Sequence, residues 1–224
     1  MWGIFAWKGR KKMNYRSTRN YENMEQRIYD GVGKYGIPEI QLAQFDMPKE
    51  FVAFSAAAQC QHREDRGVHF FIDDYRFNRL WTAPDKYLDM LRQFQCVMTP
   101  DFSLYTDFPK AVQIYNHYRK HWVGAYLQEN DIPVIPTIGW SDESSFEWCF
   151  DGEPAHSIVA VSSVGTQKNK ESKELFLRGY KEMVRRLEPE TIIFYGKVPE
   201  ECLGNIVRIH AFQEKFNEAK CNGW

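Results

Sequence analysis

Ser157-Ile158-Val159-Ala160-Val161, a following segment in which Phe176, Tyr180, Met183 and Leu187 recur three or four apart, then Pro189 and Thr191-Ile192-Ile193-Phe194: this stretch decides the fold class. The two short runs are apolar at consecutive positions, as strands buried on both faces are. The segment between them, 171–187, has the helical period, and Pro189 stops it. Strand, helix and strand on this scale predict a right-handed parallel βαβ unit.

The rhythm continues outward in both directions. Further strands are expected at 39–44, 51–55, 68–72, 96–98, 133–137 and 205–209, with His69-Phe70-Phe71-Ile72 another continuous apolar run. Pro84 opens a helix carrying Tyr87, Leu88, Leu91 and Phe94 on one face. The longest helix is expected over 109–130, with Ala111, Tyr115, Tyr118, Trp122 and Ala125 as its apolar stripe, and a short one near 21–29. Seven or eight strands alternating with helices predict an α/β fold of repeated strand–helix units, a compact or incomplete TIM-like parallel barrel. An open doubly wound sheet is the alternative. No GxGxxG or Walker loop follows any strand, so the familiar nucleotide-binding sheets lack support. Residues 1–36 read as a basic arm with a short helix, and 37–224 as a single α/β domain.

Composition narrows the class. The 224 residues carry a net charge of −1, 26% charged and 43% hydrophobic residues, which is globular rather than disordered. Residues 1–20 hold Lys8, Arg10, Lys11, Lys12, Arg16 and Arg19 and no acid, an arm able to contact nucleic-acid phosphates. No stretch has the ~18 apolar residues that a membrane span needs. Cys60, Cys96, Cys149, Cys202 and Cys221 are scattered without a CxxC pair, which argues against a zinc ribbon and for reduced cytoplasmic thiols.

In both candidate folds ligands collect at the C-terminal ends of the strands. That rule selects Asp73, Asp74 and Arg76; Asp101, Ser103 and Tyr105; Trp140; Ser162, Ser163 and Gly165; and Tyr195 and Lys197. Asp73, Asp74 and Asp101 are expected as an acid/base pair or as oxygen ligands of a divalent cation, with Arg76 beside Asp74 to orient it. The alternative is that they pair with Arg76 or cap helices. Small polar residues with Gly165 after the 157–161 strand could form an anion-binding nest, and Lys197 a phosphate contact or base. Trp140 and Tyr105 would supply a stacking wall, and Tyr195 another aromatic contact. His117 and His121 stand four apart on the long helix, but the apolar stripe beside them turns the pair toward water, against a metal role.

Phe71-Ile-Asp-Asp-Tyr-Arg-Phe77, Thr99-Pro-Asp-Phe-Ser-Leu-Tyr105, Pro133-Val-Ile-Pro-Thr137 with Gly139-Trp140, the block from Phe146 to Gly152, Val159-Ala-Val-Ser-Ser-Val-Gly165 and Tyr195-Gly196 resemble the uncharacterised family of domain of unknown function 4417. The resemblance covers roughly 41–209 and implies an accessory protein of phages, prophages or plasmids; it implies no activity. The expected function is a ligand-binding or catalytic site at the strand C-termini for a phosphorylated or nucleotide-like small molecule. Nucleic-acid association through residues 1–20 and binding of a host protein are the alternatives.

Overall fold

The structure, a computed structural model, describes residues 21–24, 26–212 and 214; the basic arm, residues 1–20, lies outside them. A small antiparallel hairpin, β1 (Gly31–Val32) and β2 (Ile37–Pro38), precedes the main sheet. Four parallel strands follow in chain order: β3 (Glu50–Ala53), β4 (Arg66–His69), β5 (Cys96–Met98) and β6 (Val134–Ile135). Three more, β7 (Ile158–Ser162), β8 (Thr191–Tyr195) and β9 (Ile206–Ile209), form a second parallel set. The two sets are stitched at one seam. Thr137 bridges Ala160, whose carbonyl accepts from the Ile138 N–H at 2.7 Å and whose own N–H donates to Pro136 O at 2.8 Å.

Helices supply three of the crossovers. α1 (Asp74–Thr82) and α2 (Asp85–Leu91) lead from β4 to β5, α3 (Lys110–Glu129) from β5 to β6, and α4 (Lys170–Leu187) from β7 to β8. Asn169 caps α4 by accepting the Ser172 N–H at 2.8 Å, the favoured device for the orphan donors of a first turn. The β3–β4 crossover is made of two 3₁₀ turns, Phe54–Gln59 and Arg63–Asp65.

The strand expected at 96–98 occurs as read, and six others shift by a few residues. That at 39–44 does not form. Its backbone is tied by other partners: Ile40 N–H to Gly152 O, and Gln41 to the Gln128 side chain through both its N–H and its carbonyl. The helix expected near 21–29 reduces to a 3₁₀ turn at Tyr21–Asn23. Helix α1 is an addition to the expected elements, although Phe77, Leu80 and Trp81, all buried, have helical spacing.

Along β8 the side chains alternate between two cores. Ile193 and Tyr195 enter the large one, while Ile192 and Phe194 enter a second one beneath α4. Both faces are thus buried, as the apolar runs required. The sheet is also curled. Tyr195 of β8 stacks on Phe71, just beyond β4, with ring centroids 4.7 Å apart, and lies 5.0 Å from the His69 ring of β4. No pairing of β3 with β9, and hence no closed barrel, is present among the described residues, and an open parallel sheet describes their arrangement. Among the described residues no helix is long and apolar enough to cross a membrane.

Candidate functional site

Asp73 takes the N-cap position of α1 without accepting a side-chain cap bond, and is exposed. Asp74, the first residue of the helix, turns to the loop after β5. Its carboxylate accepts the Ser103 N–H at 3.1 Å and the Ser103 hydroxyl at 2.8 Å. The Ser103 carbonyl in turn accepts from Asn116 of α3 at 2.7 Å. Ser103 is therefore a clamp between two helices, with its hydroxyl already engaged. Arg76 is exposed and makes no ion pair with Asp74 among the described residues, contrary to the pairing expected from their spacing. A residue two along a helix points to a different face. Arg119 of α3, within electrostatic reach of the Asp74 carboxylate, lies 3.9 Å above the Phe102 ring and donates to Asn78 and Asn116.

Asp101 follows β5 and differs from its neighbours. Its carboxyl has no hydrogen-bond partner among the described residues, and part of the residue still reaches the surface. Burial first, and the Asp74 carboxylate second, push its pKa from 3.8 up to about 7, with the Lys120 ammonium pulling the other way. A carboxyl poised near neutrality with free lone pairs can both give and take a proton.

The ends of β7 and β8 form a second cluster. The Ser163 hydroxyl donates to Lys197 O at 2.6 Å, and Ser162 Oγ accepts the Val164 N–H at 3.2 Å. Gly165 (φ +84°) has open space where a side chain would stand, and the Lys197 side chain is exposed. Tyr195 is buried, its hydroxyl accepting the Phe212 N–H at 3.2 Å. The expected stacking wall is not assembled. Trp140 packs on α4, 5.3 Å from Phe176 and so close to Gly179 that a Cβ there would lie 2.2 Å from its ring; Tyr105, 60% exposed, contacts Phe108 instead.

Sequence reasoning missed the polar face of α3. Gln113, Asn116, His117, Lys120 and His121 are all buried, while Tyr115 of the expected apolar stripe is partly exposed. The histidine pair therefore faces inward, opposite to expectation. The signal was available: these five residues repeat at helical spacing as clearly as the apolar ones do. They are tolerated inside because they find partners. Lys120 Nζ donates to Thr137 O at 2.9 Å and to Glu153 Oε1 at 2.5 Å, and His121 Nε2 lies 3.0 Å from the same oxygen. Burial pushes the Glu153 carboxyl up, but Lys120 and His121 outweigh it, so its pKa falls below the usual value. His117 is held well below the ordinary imidazole range, first by burial and then by Lys120 and His121.

An open groove of about 650 Å³ lies at the other end of the molecule, among Gln41, Leu42, Gln128, Asp131 and Pro133. Pro133 precedes β6, so this groove does not coincide with the strand C-termini.

Residues 29–213 match the family described as "Domain of unknown function (DUF4417)". The chain is similar to the "Gene 1 protein" of Mycobacterium phage L5, with 39% identity over 84% of this chain and 76% of the relative. It is also similar to the "Gene 1 protein" of Mycobacterium phage D29, with 37% identity over 73% of this chain and 61% of that protein, less than two thirds of its length. No solved structure matches.

Proposed function

The chain belongs to the DUF4417 family, with phage proteins among its relatives, and from that premise we propose that it is a mobile-element protein with an acid/base site at the C-terminal ends of β4 and β5. Asp101 is the proton-transferring group. The observation that carries the reading is its carboxyl: unpartnered among the described residues and brought to about 7 by burial and by Asp74. Asp74, held by Ser103, supplies the charge that keeps it there. Lys197 and the open backbone around Gly165, at the ends of β7 and β8, form the anion-holding side for a phosphorylated or nucleotide-like small molecule.

An incomplete TIM-like barrel is the architecture that best suits this site. Strand order without reversal supports it, as does the stacking of Phe71 on Tyr195, since curling turns the strand ends toward a common centre. Residues 37–224 would act as one domain. Thermal melting with ATP or inorganic phosphate, for the wild type and for Asp101→Asn and Lys197→Ala, tests the reading. A melting rise with either compound that both substitutions remove is expected. No rise with either compound, or a rise that survives both substitutions, would overturn it.

A further inference from the structure

We propose that His117, His121 and Glu153 bind one divalent transition-metal ion of the zinc type, at a site separate from Asp101 and independent of the function proposed for it.

One ligand atom from each of the three side chains lies within 4.8 Å of the other two. A tetrahedral ion with nitrogen and oxygen ligands at about 2.0–2.2 Å holds its donors roughly 3.4 Å apart, so side-chain rotations must draw these three together on binding. His117 and His121 are four apart on α3 and so share a face. Glu153 is brought to them by Gly152, whose φ of +77° and close passage only glycine accommodates. A Cβ there would meet Pro38 O at 2.5 Å and His121 Nδ1 at 2.8 Å.

The hydrogen bonds around the rings are those that ligating histidines make. A metal-bound imidazole gives its other nitrogen to a carbonyl or carboxylate, which fixes the tautomer. His117 Nε2 lies 3.2 Å from Asp151 O, and His121 Nδ1 lies 2.8 Å from Pro38 O. His117 thereby keeps Nδ1 without a partner among the described residues, while His121 turns its Nε2 toward Glu153, 3.0 Å from Oε1.

Two acceptors in this cluster are buried and have no partner among the described residues: His117 Nδ1 and Glu153 Oε2. The His117 residue is 1% exposed and the Glu153 side chain 0%. Lys120 and His121 both crowd onto the other oxygen, Oε1. Buried orphan acceptors are uncommon and costly, and two in one three-residue cluster call for a cation. A single ion satisfies both, with nitrogen and carboxylate donors of the kind zinc takes. Three protein ligands leave a fourth position for water.

Metal content and cobalt spectroscopy on the full chain test this. The protein is stripped with chelator and titrated with Zn(II) or Co(II). Expected are one equivalent bound, a higher melting temperature with Zn(II), and the visible d–d bands of tetrahedral Co(II). His117→Gln, which leaves the Lys120–Glu153 pair intact, should weaken binding by about 100-fold or more with the fold retained by circular dichroism. Absence of stoichiometric binding and of cobalt bands in the wild type overturns the proposal without reference to any variant. Unchanged binding in both His117→Gln and His121→Gln also overturns it, since the ion would then sit elsewhere. So does a wild-type protein that melts at the same temperature with and without Zn(II).

Discussion

Asp101 sets a pH dependence whose sign can be worked out. Its folded pKa of about 7 lies above its ordinary 3.8. Between those values the native chain keeps a proton that the unfolded chain has lost, so stability falls as pH rises through that window. Below about pH 4 both states are protonated and nothing is lost. Asp101→Asn keeps the shape without the charge. It should raise stability by up to roughly 4 kcal/mol above pH 7 and hardly change it at about pH 4. Denaturant melts at the two pH values check this, and equal effects at both would show an unperturbed carboxyl. Gly152 carries a second prediction at this scale. Alanine there faces both a left-handed backbone and contacts at 2.5 and 2.8 Å, so Gly152→Ala should cost on the order of 3 kcal/mol, read as a lower denaturant midpoint.

Among the elements, α3 shows how far the sequence could be read. Its existence and ends followed from Pro109 and from the spacing of its large side chains, because period and proline punctuation are local signals. Its inward face did not follow. Which stripe turns inward depends on acceptors that arrive from distant segments, such as Glu153 and the carbonyls of Pro38, Thr137 and Asp151. At the strand ends the structure joins Asp74 to Ser103 by hydrogen bonds, whereas Arg76 makes no ion pair with Asp74 among the described residues and Trp140 packs on α4, side-chain directions that a strand-end rule does not carry. The buried pair on α3 gives a prediction. In metal-free protein, Lys120→Met strands a buried carboxylate and should cost about 3–5 kcal/mol. Adding Glu153→Leu should recover much of that loss, because an ion pair replaced by apolar groups is far less costly than one that is broken. Urea melts of the two single variants and the double variant measure the coupling; strictly additive losses would show that the pair is not a unit.

The whole molecule turns on the curl of its sheet. β4 and β8 are separated by β5, β6 and β7, joined through the seam at Thr137 and Ala160. At about 4.8 Å per strand, a flat sheet would hold β4 and β8 roughly 19 Å apart. Yet Tyr195 lies 4.7 Å from the Phe71 ring and 5.0 Å from the His69 ring. The strands must therefore wrap around these rings, and the aromatic cluster fills the concave side near the strand C-termini. A wrapped sheet couples Phe71 and Tyr195 energetically despite the three strands between their own. Phe71→Leu and Tyr195→Leu should then show a coupling energy of about 0.5–1.5 kcal/mol in a double-mutant cycle, the usual value for an aromatic pair beyond its buried area. Flattening the sheet would remove that coupling while leaving each residue buried in its own layer, so losses that add to within about 0.3 kcal/mol would speak for a flat sheet. The same cycle bears on the site: only a wrapped sheet brings the ends of β4 and β5 to face those of β7 and β8, and only then can Asp101 and Lys197 act on one ligand.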